Sequence, residues 1–107
     1  MSLEIETASK QMFKWFVKHS SVPKLLENNN VQNIAWEVCA SPFRAIFEEA
    51  LTLDTLSDDF DEDLITVSNK FYIVVNGLTW NDDVDAVEDY DLHGYFEKRL
   101  NALRGKN

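Results

Sequence analysis

Residues that break or cross-link a chain are scarce: one cysteine, two prolines and three glycines occur among 107 residues. Cys39 has no second cysteine with which to form a disulfide, which suits a reducing compartment. Residues 1–10 lack the basic and apolar regions of a signal segment, so we expect no export signal, and no apolar run approaches the roughly 18 residues that a membrane span needs. We therefore expect a single cytoplasmic domain, residues 1–107, with regular structure over most of its length and no membrane partner.

Motifs for catalysis are also lacking. The sequence contains no glycine-rich phosphate loop, and Cys39 falls beside Val38 on the apolar side of a predicted helix, where a buried cysteine is commoner than a nucleophile. His19 and His93 are far apart in the sequence and have no obvious carboxylate to orient them. The sequence therefore does not predict an enzyme.

A metal site is not predicted either. Asp59, Asp61 and Asp63 have the first three ligand spacings of a calcium loop. Leu64 then stands where the loop needs glycine, and Lys70 stands where it needs a bidentate glutamate. Two histidines and one cysteine cannot form a closed zinc site without carboxylates. We expect neither a metal nor a cofactor.

Negative charge is abundant, and it belongs to one part of the chain. The net charge is −9, yet residues 54–91 contain twelve acids and one base, which gives −11 for that segment alone. A field of this sign repels nucleic acid phosphates and anionic membranes, and it speeds encounter with basic proteins. We therefore expect a basic protein partner and no direct binding of nucleic acid.

The N-terminal half has the pattern of amphipathic helices, with apolar residues three and four positions apart. One such stripe predicts a first helix over about residues 4–19. Ser21 and Pro23 predict the start of a short second helix, which the asparagines at 28–30 end. The apolar residues of the first stripe are Ile5, Ala8, Met12, Trp15 and Phe16.

Further helices are predicted on either side of Ser41-Pro42. An apolar stripe over 31–38, formed by Val31, Ile34, Ala35 and Val38, ends there. Ser41 is expected to cap the next helix, with Pro42 in its first turn. The inner face of that helix contains Phe43, Ile46, Phe47, Ala50 and Leu51.

From residue 64 the composition changes to β-branched and aromatic residues, which favour strands. Residues 64–67, 70–75 and 78–80 form three such runs. Ser68-Asn69 is a turn candidate between the first two, and Asn76-Gly77 between the last two is a strong signal for a tight hairpin. The prediction is a three-stranded antiparallel meander.

A C-terminal helix is expected over about 90–104. Leu92, Phe96, Leu100 and Leu103 lie on one of its faces, and Gly105 is a natural stop. The predicted fold class is therefore α+β, with N-terminal helices packed on a small three-stranded antiparallel β-meander that the C-terminal helix closes.

Two acidic clusters, residues 57–64 and 81–91, would flank this sheet, and two interpretations of them remain open. In the first interpretation the acids only keep the surface solvated: negative charge at the start of a helix is stabilised by the helix dipole, and charged residues prevent a sheet edge from aggregating. Alternatively, the clusters recognise a basic macromolecule, with aromatic side chains among them as anchors. The candidate partner-binding residues are Asp58, Asp59, Phe60, Asp61, Glu62, Asp63, Trp80, Asp82, Asp83, Asp85, Glu88, Asp89 and Tyr90.

Three functions follow from these interpretations. The favoured one is an inhibitor of the immunity protein or antitoxin kind, which neutralises a basic partner, such as a nuclease toxin or a nucleic-acid-binding protein, by occlusion. A second is a phage-type anti-defence DNA mimic, in which Asp59, Asp61 and Asp63 stand about 6–7 Å apart along an extended segment like a row of phosphates. A third is a structural or assembly accessory subunit with an apolar, self-associating surface.

Overall fold

The computed structural model describes residues 3–19, 28–79 and 92–105, and all regular structure in these ranges is α-helical. Its helices are α1 (Leu3–His19), α2 (Asn29–Leu51), α3 (Phe60–Thr79) and α4 (Leu92–Leu103). None of them combines the length and the apolar character needed to cross a bilayer. The predicted short helix that begins at Ser21 lies outside the described residues.

The prediction is confirmed for α1 and α4. The buried side chains of α1 recur every three or four residues, and they include Ile5, Ala8, Met12 and Phe16. Leu92, Phe96 and Leu100 are buried on α4, so this helix closes the core as expected. Gly105 follows α4 with φ of 73°, a left-handed conformation that glycine adopts without steric cost.

The described helices pack as an up-and-down bundle. Glu6 forms an ion pair with Arg44, and the rings of Phe13 and Trp36 lie 5.5 Å apart, so α1 and α2 run in opposite directions. The N-terminal half of each helix therefore meets the C-terminal half of the other. The turn at residues 52–59 then reverses the chain into α3.

Helix α4 completes the bundle between α3 and α1. Ser68 on α3 contacts His93 near the start of α4, while the Arg104 guanidinium after the end of α4 lies 5.4 Å from the ring centre of Phe60 at the start of α3, so these two helices are antiparallel. On the other side, Trp15 of α1 stacks on Tyr95 of α4, with 5.0 Å between ring centroids and 20° between ring planes. Helix α4 also meets α2, where the rings of Phe47 and Phe96 lie 5.0 Å apart, so the described helices share one core.

The predicted helix break at Ser41-Pro42 is wrong, because α2 continues through Pro42 to Leu51. An interior proline removes the N–H that would bond to the carbonyl of the residue four positions earlier, here Val38. Val38 is on an exposed part of α2, where water can reach that carbonyl. Asn28 caps the start of α2, because its side-chain oxygen accepts hydrogen bonds from the backbone N–H groups of Asn30 and Val31.

The predicted β-meander is also wrong, because its first two strands and their connecting turns form the single helix α3. The buried side chains of α3 include Leu64, Val67, Ser68 and Phe71, which are three or four residues apart. Burial at this spacing outweighed the strand preference of β-branched residues, which depends strongly on context. The fold of the described residues is therefore all-α and not α+β.

The Asn76-Gly77 hairpin fails for a related reason. Both residues lie within α3, and Gly77 does not have the positive φ that a tight hairpin turn requires. An ideal Cβ added at Gly77 would meet nothing within 4 Å, so neither turn geometry nor close packing demands glycine there. The third predicted strand extends to Trp80, which lies outside the described residues.

Candidate functional site

The first acidic cluster lies at the junction between α2 and α3. Its five carboxylates are exposed, and so is that of the preceding Asp54; together we call these six the acidic surface: Asp54, Asp58, Asp59, Asp61, Glu62 and Asp63. The ion pairs within the described part of the chain are Glu6–Arg44 and Glu49–Lys70, and neither involves the acidic surface. Its negative charge therefore has no described cation within 4 Å.

Local hydrogen bonds shape the turn that carries these carboxylates. An Asp54 side-chain oxygen accepts the backbone N–H of Leu56 at 3.0 Å, which is the short-range bond of an Asx turn. The Ser57 hydroxyl accepts the Asp59 N–H at 3.1 Å, and the Asp59 carbonyl accepts the Asp63 N–H at 2.8 Å. The last of these bonds begins the hydrogen-bond ladder of α3.

Helix geometry decides how the first three acids of α3 are displayed. Asp61, Glu62 and Asp63 occupy the first turn, where negative charge is favoured by the helix dipole. The expected extended row is wrong for Asp61 and Asp63, because residues two apart on a helix point in nearly opposite directions. The DNA-mimic alternative therefore loses its geometric basis in this segment.

Phe60, a predicted partner-binding residue, contacts both the core and the end of α4. Its side chain is half-buried and packs against the core, and the Arg104 guanidinium lies 5.4 Å from the centre of its ring. This contact attaches the start of α3 to the end of α4. Phe60 thus supports the acidic surface from behind.

The remaining predicted site residues lie outside the described residues. They comprise the aromatic residues Trp80 and Tyr90 and the second acidic cluster: Asp82, Asp83, Asp85, Glu88 and Asp89. Their positions relative to the acidic surface stay predictions.

The sequence-based prediction missed an apolar residue within the acidic surface. Leu56 is 91% exposed, on the turn between Asp54 and Asp58. Ile65, one turn into α3, is also exposed. A leucine inside a turn of small and acidic residues belongs to no helical stripe. That position could have indicated from the sequence that Leu56 is exposed. The structure thus displays an aliphatic side chain where the sequence suggested aromatic ones.

A buried polar pair joins α3 to α4. The Ser68 hydroxyl donates to the Ile65 carbonyl at 3.0 Å and also bonds to Nδ1 of His93. Because its one proton is directed at Ile65, the hydroxyl accepts from Nδ1–H of His93. In this arrangement His93 is not a base that activates Ser68. The pair fixes the packing of two helices.

Cys39 is buried in the core as expected. Burial disfavours the charged thiolate and raises the pKa of Cys39 from 9.0 to about 11. A nucleophilic cysteine needs a lowered pKa and access to solvent. This thiol has neither property. Among the described residues, no group of three or more histidine, cysteine and acidic side chains is arranged to hold a metal ion.

Comparison with known proteins supplies no relative for this fold and surface. A scan of protein-family models, a search of curated proteins and a search of solved structures each found no match. The functional argument therefore depends on the geometry and charge of the chain itself.

Proposed function

We propose that this chain is a small acidic binding protein that neutralises a basic protein partner by occluding its surface. The observation that supports the proposal is the exposure of Leu56 on the turn between Asp54 and Asp58, within an acidic surface that has no described counter-ions. An apolar side chain surrounded by charge of one sign is typical of interfaces that combine an anchor with electrostatic steering.

The two kinds of side chain would contribute to different stages of binding. Carboxylates attract a basic partner over the Debye length, about 8 Å at physiological ionic strength, and so raise the association rate. Leu56 would enter a pocket on the partner and slow dissociation, because its apolar surface is removed from water. Ile65, which is exposed on α3, is a second apolar side chain that a partner could contact.

The charge also suggests the kind of partner. A protein that binds nucleic acid has a cationic surface for phosphates, and covering that surface blocks its activity. We therefore retain the specific hypothesis of an immunity protein or antitoxin kind of inhibitor, acting on a nuclease toxin or a nucleic-acid-binding protein. A cytoplasmic location belongs to this hypothesis, and the reduced thiol of Cys39 suits it.

Affinity capture from the source organism, followed by binding kinetics with the purified partner, tests the proposal. We expect a basic partner whose association rate falls as salt rises, while dissociation changes less. A charge-neutral variant, D58N/D59N/E62Q, should slow association, and Leu56→Ala should weaken binding by about 2 kcal/mol, mainly through faster dissociation.

Matched controls separate the acidic surface from general changes in charge and hydrophobicity. E37Q/E48Q/E97Q removes three exposed acids elsewhere, and Ile73→Ala truncates another exposed aliphatic side chain on α3. Both controls should bind as the parent does. A captured partner that binds the charge-neutral variant and Leu56→Ala with unchanged kinetics would refute the proposal.

A role as an assembly subunit is the second candidate, and one observation favours it. Helix α2 displays Ile34 and Val38, which are 64% and 68% exposed, and Pro42 and Ala45 continue this uncharged stripe. Apolar residues one turn apart on an exposed helix face suit contact with another protein. If this face binds a subunit, Ile34→Glu should abolish that assembly while leaving the chain folded.

A further inference from the structure

A groove follows the junction of α1 and α4, on a part of the molecule that the proposed function does not use. It consists of two hollows of about 280 Å³ and 370 Å³, which share Gln11 and Arg99 in their linings. The first hollow is mainly apolar, and its lining includes Leu3, Ala8 and Leu103. The second is cationic and aromatic, so the two ends of the groove differ in chemistry.

The cationic end is unusual in a chain with a net charge of −9. Lys14, Lys18 and Arg99 line it together with His19, and no acidic side chain does. Lys14 and Lys18 are exposed, and neither forms an ion pair with a described carboxylate. Positive charge is therefore concentrated at this end of the groove.

Aromatic contacts position part of this end. The Arg99 guanidinium lies 5.3 Å from the centre of the Tyr95 ring, and Tyr95 stacks on Trp15. The His19 ring lies 5.2 Å from Trp15 on α1. These four side chains form a continuous row of contacts across the two helices, which places the Arg99 guanidinium beside the lysines of α1.

Arg99 lies where the two hollows meet. Its Nη1 donates to the side-chain oxygen of Gln11 at 2.7 Å, and both residues line both hollows. A guanidinium held in this position places positive charge along the groove, and carboxylates are the groups that a guanidinium binds most strongly.

The ligand that matches both ends of this groove has an apolar side chain followed by several carboxylates. The acidic surface of the same sequence has that chemistry, because exposed Leu56 precedes Asp58, Asp59 and the acids of α3. In a single copy, no ion pair among the described residues joins the two surfaces.

We infer that the groove binds the acidic surface of a second copy of this chain, with Leu56 toward the apolar end and carboxylates at Lys14, Lys18 and Arg99. The contact is head-to-tail, since a different surface of each copy takes part, and so it can repeat along a row of molecules. Self-association of this kind hides the acidic surface from other partners. Its test requires no basic partner, so the inference stands or falls separately from the proposed function.

Net charge does not prevent this contact at physiological ionic strength. The molecule measures 29 Å along its middle axis, so most charges of two touching copies are separated by much more than a Debye length of about 8 Å. Repulsion between the two net charges is then largely screened, while ion pairs in contact across the groove are screened less. At low ionic strength, the net repulsion should weaken association instead.

Sedimentation velocity over a concentration series up to about 1 mM, at about 0.15 M salt, tests the inference. The average mass of the parent should rise with concentration. The groove variant K14E/K18E and the surface variant D58K/D59K should each associate about tenfold more weakly or not at all, because like charges then face each other. A mixture of the two variants should associate again, since opposite charges meet in both kinds of contact.

Controls and contrary outcomes make the result decisive. Lys98 is exposed on α4 outside the groove linings, so Lys98→Glu should associate as the parent does. Circular dichroism should show that all variants keep the helical content of the parent. The inference is overturned if the parent stays monomeric, if K14E/K18E associates like Lys98→Glu, or if the mixture does not associate. Association that persists in K14E/K18E and is lost in Ile34→Glu would assign the contact to α2 instead.

Discussion

Phe71 on α3 meets Phe43 on α2 edge to face, with 4.8 Å between the ring centroids and 72° between the ring planes. Both side chains are fully buried. The Phe71 ring also contacts three further rings: Phe16 on α1, Phe47 on α2 and Phe96 on α4. One side chain thus joins all four described helices.

We expect Phe71→Ala to lower the free energy of unfolding by about 3–5 kcal/mol, because it removes a buried ring and leaves a cavity among four others. Urea titration followed by circular dichroism measures this loss. Phe71→Leu is the control, and it should cost clearly less because most of the volume stays filled. A loss under about 1 kcal/mol for Phe71→Ala would contradict this central position.

Glycine substitutions distinguish the observed helix from the predicted hairpin. Gly77 lies in α3 with open space around its missing side chain, so Gly77→Ala should stabilise the chain by about 0.5–1 kcal/mol. Gly105 has positive φ, so Gly105→Ala should destabilise α4 by about 1 kcal/mol. Thermal unfolding of both variants measures the two signs. Destabilisation by Gly77→Ala would support the hairpin instead.

Ser68→Ala should lower stability by about 1–2 kcal/mol, because Nδ1–H of His93 loses its acceptor in a partly buried position. Thr66→Ala on the exposed side of α3 is the matched control and should change stability little. Chemical denaturation gives both values, and nitrogen NMR shifts of His93 report which ring nitrogen carries the proton. An unprotonated Nδ1 in the parent would contradict the assigned hydrogen bond.

Because the Cys39 thiol is buried, we expect the folded chain to lose stability at high pH. The pKa of its thiol is about 11 in the folded chain against an ordinary 9.0, so the unfolded chain loses this proton first. The stability that the neutral thiol contributes is therefore complete below pH 9 and is lost as the pH rises toward 11. Between pH 8 and pH 10 the free energy of unfolding of the parent should fall by about 1 kcal/mol more than that of Cys39→Ala. Equal losses in urea titrations at the two pH values would argue against a buried thiol.

The parts of the fold that were predicted are those in which one periodicity dominates. On α1 and α4 the apolar residues recur every three or four positions, and polar residues separate them, so pattern and structure agree. The inner face of the second half of α2 was predicted for the same reason. The burial of Phe43, Ile46, Phe47 and Ala50 confirms it.

The missed elements are those in which local signals conflict with packing. Residues 71–75 are apolar or aromatic without a break, so alternate positions and helical positions both contain suitable residues. Burial of Leu64, Val67 and Phe71 decides between strand and helix, because these three residues share one face only at helical spacing. Ser41-Pro42 reads as a helix start, but an exposed proline is tolerated inside α2 because water can reach the carbonyl it leaves unpaired.

The negative charge of the candidate site was predicted from the sequence, and the arrangement of its apolar side chains was not. The exposed carboxylates of residues 58–63 follow from composition, since charged residues without partners remain in water. The exposure of Leu56 and the inward position of Phe60 depend on how the turn leaves α2 and enters α3. The basic groove could not be foreseen because it joins lysines of α1 to Arg99 of α4, which are distant in the sequence.

The Trp15–Tyr95 stack has a consequence for the order of folding. Helices α1 and α2, and likewise α2 and α3, meet through contacts between neighbouring segments, whereas this stack closes a loop of nearly the whole chain. Because long loops close at a higher entropic cost, we expect it to form after the folding barrier. Trp15→Ala should then speed unfolding and leave the folding rate nearly unchanged in stopped-flow measurements. A slower folding rate would instead place the docking of α4 on α1 at the barrier itself.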